Sequence, residues 1–161
     1  MEGKPMKTSP CVLLMISALS TAGAHAAGAA TAARQQILPI WNGMQEAANA
    51  HDTDRFMAPF VQSADLVFAI DGRVIRGWDA LRAQQLKWWK NGKSDAHYMQ
   101  DGSPAFMALG ADAEVSTASF TSRRAGPDGK TSTGKFVVTY VWRKLPQGWR
   151  IVYGHESWAR P

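Results

Sequence analysis

The chain holds one cysteine in 161 residues. That excludes a disulfide framework and a cysteine-built zinc site. Histidine is scarce too. Beyond the first stretch of sequence only His51, His97 and His155 remain, and their spacing supports no metal site. No apolar run reaches the roughly 20 residues that a membrane-spanning helix needs. Basic residues are in excess, 18 Lys+Arg against 13 Asp+Glu for a net charge of +5, but they are spread along the chain. Without a dense Lys/Arg block there is no nucleic-acid footprint. H-E-x-x-H, C-x-x-C, a Walker lysine loop and G-x-S-x-G are all missing. What remains is enough chain for one globular domain, with 45% hydrophobic and 19% charged positions. Nothing in it calls for a cofactor or a metal.

The first residues read as an address. Lys4 and Lys7 precede an apolar run from Cys11 to about Leu19; small residues follow, ending in Ala24-His25-Ala26. That order is the pattern of a secretory signal peptide over residues 1–26, cleaved after Ala26. Met6 serves as well as Met1 for its start. The expectation is an exported domain, residues 27–161, in the bacterial periplasm or outside the cell. Its lack of cysteine suits an oxidising compartment.

Residues 32–50 place Ile37, Trp41, Met44 and Ala48 on one helical face. A short helix over residues 54–60 follows, capped by Asp52 or Thr53 and closed by Pro59. Residues 64–70 and 73–76 form a hairpin through Asp71-Gly72. A helix over residues 80–90 turns Leu81, Gln85, Trp88 and Trp89 inward. The pattern then changes to period two, with strands over residues 94–100, 105–109, 113–124, 130–143 and 149–158, separated by Gly- and Pro-bearing turns. On the longest, Phe136, Val138, Tyr140 and Trp142 share a face. Helices followed by an antiparallel meander make an α+β domain. A parallel-sheet nucleotide fold needs strands alternating with helices.

Trp41 with its Ala-rich helix, HDTDRFMAPF, ADLVFAIDGRVIRGWDAL, ALGADAEVSTASFTS and the final GKFVVTYVWRKLPQGWRIVYGHESW stand in a familiar order. Over about residues 32–158 the chain resembles the nuclear transport factor 2-like superfamily, in its SnoaL-like and kinase-association-like branches. The resemblance implies a cone-shaped roll: a strongly bent antiparallel sheet wrapped around a long N-terminal helix, with two shorter helices at the wide end. It also implies a pocket between helix and sheet, and a homodimer through the convex sheet face. The fold hosts isomerases, dehydratases, cyclases and epoxide hydrolases as well as binding and assembly domains, so it does not name a reaction.

Carried across residue by residue, the ligand contacts of the kinase-association-like branch fall on Phe120, Tyr140 and Glu156, with Phe56 from the second helix. Trp142 joins them as pocket wall. Where that branch has arginines, this chain has an aromatic ring, a phenol and an acid. The implied pocket is therefore aromatic-walled, with the Tyr140 hydroxyl and the Glu156 carboxylate as polar handles. Phe120 and Tyr140 read equally well as plain core, with Glu156 at a solvated mouth. Asp95 and His97 share a strand face, which is either a general-base arrangement or a solvated pair. His155 and Ser157 lie on the face opposite Glu156. Trp41, Trp88 and Trp89 read as core and wall, Trp78 and Trp158 as exposed or at a subunit contact. The steroid isomerase branch has its general base at the position of Phe68 here, and Asp71 belongs to the turn, so that chemistry is disfavoured.

The expected function is an exported domain for small-molecule binding or assembly, with a pocket for a small apolar or aromatic ligand and without demonstrated catalysis. The alternative is a cofactor-free acid–base enzyme of isomerase, dehydratase or cyclase type. Glu156 or His97 would then be the base and Tyr140 the hydrogen-bond donor.

Overall fold

The structure is a computed structural model describing residues 19–126 and 129–159. The apolar run read as an export signal lies outside the described residues but for its last position. Helix α1, Leu19–Ala50, starts well before residue 32. Its added length is Ala-rich, and alanine is the strongest helix former. The expected stripe of Ile37, Trp41, Met44 and Ala48 is buried, together with Ala33 and Ala47. Helix α2, Thr53–Met57, is capped by Asp52, whose carboxylate accepts from the Arg55 backbone N–H at 3.0 Å.

Strands β1, Val67–Ile70, and β2, Arg73–Arg76, form the expected hairpin. Asp71 and Gly72 both have positive φ, 44° and 79°, as a tight hairpin turn of this kind requires. Helix α3, Trp78–Trp88, begins two residues before the expected start. Four long strands follow: β3, His97–Ala108; β4, Ala113–Ala125; β5, Thr131–Leu145; and β6, Gly148–Trp158.

Two expectations are corrected. Residues 94–100 and 105–109 are not separate strands: β3 is continuous, and its Asp101-Gly102-Ser103-Pro104 segment is an irregularity in the pairing with β4. A bulge absorbs these turn residues because β3 is an edge strand, where proline leaves no ladder partner unsatisfied. Nor is the sheet wholly antiparallel. The order is β2-β1-β6-β5-β4-β3, and β1 runs parallel to β6. The chain leaves β2 through α3 for the far edge, then returns strand by strand until β6 lands beside β1.

The bent, unclosed sheet holds α1 against its concave face. The Trp41 ring lies 6.3 Å from Phe120 and 5.7 Å from Tyr140, and its Nε1 donates to Gln100 Oε1 at 2.7 Å. Registry lines the concave residues into rows across the strands. One row is Ser116, Tyr140, Gly154, Phe68, Ile75. The next is Ala118, Val138, Glu156, Ile70, Arg73. A third is Gln100, Phe120, Phe136, Trp158. Gly154 is required by the first row, because a Cβ there would stand 2.5 Å from Phe68 Cδ2. No described helix is long and apolar enough to cross a membrane.

Candidate functional site

The helices leave the end of the concave face uncovered where the second and third rows emerge. A cavity of about 380 Å³ opens there. Its floor is the third row, a stack in which Phe120 and Phe136 centroids are 5.1 Å apart and Phe136 and Trp158 4.5 Å apart. Phe56 and Trp89, edge to face at 5.1 Å, form the wall toward α2 and α3. Tyr98 closes the β3 side, its hydroxyl accepting from Trp89 Nε1 at 3.1 Å. Such a volume, mostly apolar with a few polar groups, is the ordinary form of a small-ligand site.

The polar groups are informative. Glu156 stands between Val138 and Ile70 in its row, facing the cavity. Trp158, two residues on and on the same face, donates from Nε1 to Glu156 Oε1 at 2.6 Å. Burial pushes the Glu156 carboxyl up to about 7; the Trp158 hydrogen bond opposes this and the Asp71 carboxylate adds to it. Asp71, at the mouth, accepts from the Trp158 backbone N–H at 3.2 Å.

Tyr140 is 4% exposed and lines the cavity, yet its hydroxyl has no hydrogen-bond partner among the described residues. Burial, and then the Glu156 charge, hold that phenol far above its ordinary range, so it is a neutral donor. Gln85, 7% exposed on α3, likewise brings an amide to the cavity wall with no side-chain partner among the described residues. Buried polar groups are ordinarily paired. Neither of these is a fully buried orphan, as Thr53 Oγ1 and Glu114 Oε2 are; both open onto the cavity, where a ligand can bond to them. Burial also raises Tyr98, countered by its Trp89 hydrogen bond and by the charge and hydrogen bond of Arg124.

The structure thus brings Phe56, Phe120, Tyr140 and Glu156 together around one cavity. It does not bring Trp142 there. That ring is fully buried in the core, its Nε1 donating to Ser116 Oγ at 2.8 Å. The reading of Trp142 as pocket wall is corrected: it shares the face of Tyr140 but is not on the cavity lining, and its ring packs edge to face on Tyr140 at 6.2 Å. His97 is also elsewhere, exposed at the start of β3 opposite Arg123, so it is no base for this cavity. Asp95 lies 3.9 Å from Lys90 Nζ. His155 and Ser157 are exposed on the convex side.

Trp158, read from the sequence as exposed or at a subunit contact, is cavity floor. Its i+2 relation to Glu156 was the available signal. Gln85, Tyr98 and the mouth residues Asp71, Arg73 and Arg124 were not foreseen as site residues. Their approach depends on the curl of the sheet, which spacing does not carry. A second buried acid, Glu114, lies outside the cavity, with Oε2 unpaired among the described residues. Burial raises it against the Arg34 charge. Among the described residues no three His, Cys, Asp or Glu side chains gather as a metal-ligand set.

Comparison places this geometry among known folds. An NTF2-like superfamily protein from Salmonella enterica serovar Typhimurium superposes with a TM-score of 0.69 at 24% identity, over 81% of this chain and 94% of that one. An NTF2-like protein with a cystatin-like fold from Novosphingobium aromaticivorans gives 0.68 at 16% identity, over 89% and 91%. A ketosteroid isomerase-like protein from Erwinia carotovora atroseptica gives 0.62 at 18% identity, over 79% and 96%. These likenesses show the NTF2-like cone fold. No curated protein matches the sequence. The SnoaL-like domain family matches residues 37–161, from the buried face of α1 through β6. On that match the chain belongs to the SnoaL-like domain family.

Proposed function

We propose that this protein binds a small, largely apolar molecule in the cavity above the Phe120–Phe136–Trp158 stack. The observation that carries the reading is the Tyr140 hydroxyl, which belongs to a buried residue, opens onto the cavity and is unpaired among the described residues. A core tyrosine would have found a partner; a binding tyrosine keeps its hydrogen bond for the ligand. N-phenyl-1-naphthylamine fluorescence tests this. The wild type should enhance it. Ala48→Phe, which fills the cavity from α1, should abolish the enhancement while the cooperative melt persists. Equal enhancement by both proteins would sink the reading.

A second reading is acid–base catalysis, favoured by one observation: a cavity carboxyl held at about 7 beside a phenol donor. Such a group serves as acid or base at neutral pH. Exchange of the α-hydrogens of cyclohexanone for deuterium, followed by NMR, probes it. Glu156→Gln and Tyr140→Phe should each slow any enzyme-dependent exchange, and catalysis untouched by both would exclude these residues.

Export and assembly complete the proposal. Residues 1–26 are the export signal, so the protein recovered outside the cytoplasm should begin at Ala27. The convex face is the homodimer surface. Val137 lies on it, 41% exposed, flanked across the strands by Ser119 and Ser157. Val137→Lys should shift sedimentation from dimer to monomer.

A further inference from the structure

We propose that the cavity's ligand is an organic cation, a protonated amine carrying an apolar or aromatic substituent, with its ammonium seated against the Glu156 carboxylate. This rests on the ligand-binding reading above and names its chemical class.

The first support is a missing partner. Glu156 faces the cavity with Trp158 Nε1 as its one hydrogen-bond donor among the described residues. The ion pairs of the described side chains lie elsewhere: Arg55 with Glu46, Arg82 with Asp54, Lys90 with Asp95. A partly buried carboxylate facing an apolar cavity without a cation is unfavourable, and it is the group that a cationic ligand relieves.

The mouth arginines do not supply that cation. Arg73 stands in the same row as Glu156 but beyond Ile70, with about 10 Å between their backbones across two strand spacings, and makes no ion pair with it. Arg124 engages the Tyr98 hydroxyl. Both are exposed, where water screens them. The charge felt at Glu156 is that of Asp71, another acid. Tyr98 and Tyr140 are the remaining titratable groups on the lining, and α1 and α3 contribute only the uncharged Gln45 and Gln85 among polar side chains.

The walls fit the same class. Trp89, Trp158, Tyr98 and Tyr140 border the cavity, and aromatic faces attract ammonium groups, tryptophan most strongly. An ammonium N–H set also finds acceptors in kind: the Glu156 carboxylate, the Gln85 amide oxygen and the Tyr140 hydroxyl. An anion would meet Arg73 and Arg124 only at the exposed mouth, and Glu156 further in.

The test compares three probes with one phenyl-ethyl body: 2-phenylethylammonium, 2-phenylethanol and 3-phenylpropanoate, titrated calorimetrically into the full chain near pH 8 and near pH 6. The ammonium should bind at least tenfold more tightly than the others near pH 8. Its affinity should fall about tenfold near pH 6, where Glu156 is protonated. Glu156→Gln should lose that preference and still bind 2-phenylethanol. Equal affinity of alcohol or propanoate with the ammonium near pH 8, or ammonium affinity unchanged in Glu156→Gln, would overturn the proposal. Should the variant fail to fold, the wild-type profile decides, since ammonium affinity that is flat between the two pH values is equally fatal. Binding of none of the three removes the ligand-pocket reading itself, and this inference with it. The alcohol bound without preference removes this inference alone.

Discussion

Glu156 Oε1 and Trp158 Nε1 are 2.6 Å apart on one face of β6, joining the cavity's acid to its aromatic floor. A charge-assisted bond of this length stabilises the carboxylate over the acid. Trp158→Phe keeps the stack on Phe136 and deletes the donor. The Glu156 carboxyl should then titrate above its present value of about 7, because burial and Asp71 act unopposed. A carbon-13 NMR titration of the Glu156 side chain reads this directly. A midpoint unchanged or lowered would show that the indole hydrogen bond does not hold the charge.

The same carboxyl makes stability depend on pH. In the unfolded chain it ionises in the ordinary glutamate range, and in the fold at about 7. The folded state therefore binds the proton more tightly, and this contribution is fully present in acid. It is lost as pH rises from the unfolded value through about 7. The rise corresponds to roughly 3.5 kcal/mol at most, at 1.36 kcal/mol per unit. Urea midpoints of the wild type should fall between weakly acidic and weakly alkaline pH, and those of Glu156→Gln should fall less. Parallel profiles for the two proteins would remove Glu156 as the source.

Most of the fold was legible because its signals are local. The buried α1 stripe, the Asp71-Gly72 turn and the alternation of Phe136 to Trp142 are written within a few residues of each other. The parallel pairing of β1 with β6 was not, since it joins Val67 to Tyr153 and has no local mark. The site divides on the same line. Phe56, Phe120, Tyr140 and Glu156 were reached through the family resemblance and strand alternation. Trp142 obeys the same alternation as Tyr140, and period two gives the face of a residue but not its distance along the cone. Gln85 looked like helix interior, and burial with an unpaired amide is visible only in three dimensions.

Gly154 carries a packing requirement that its sequence neighbours hide. A Cβ would meet Phe68 Cδ2 at 2.5 Å, Phe68 Cε2 at 2.7 Å and Tyr140 Cδ1 at 3.3 Å. The Phe68 ring is in the core and cannot swing to solvent. Gly154→Ala should cost about 2 kcal/mol, the range for overpacking. Gly154→Ala with Phe68→Leu should recover part of that loss, because the leucine vacates the contact. Thermal melts of the single and double variants decide it; additive losses would mean that the two residues do not share the space.

Trp142 and Tyr140 stand two residues apart on one face of β5, and their substitutions should separate. Trp142 Nε1 donates to Ser116 Oγ, and both residues are 0% exposed. Trp142→Phe removes the donor, leaves Ser116 dependent on a new partner in a dry site, and opens space in the core. An unpaired buried hydroxyl costs about 1–3 kcal/mol, and the lost ring volume adds to it. The melting temperature should therefore drop clearly. Ligand affinity should not, because the cavity lies toward Glu156 and Trp158, beyond Tyr140 from Trp142. Tyr140→Phe should do the reverse: little change in melting, since its hydroxyl has no protein partner to lose among the described residues, and weaker binding of any ligand that hydrogen-bonds there. Weakened binding in Trp142→Phe at unchanged stability would restore Trp142 to the cavity wall.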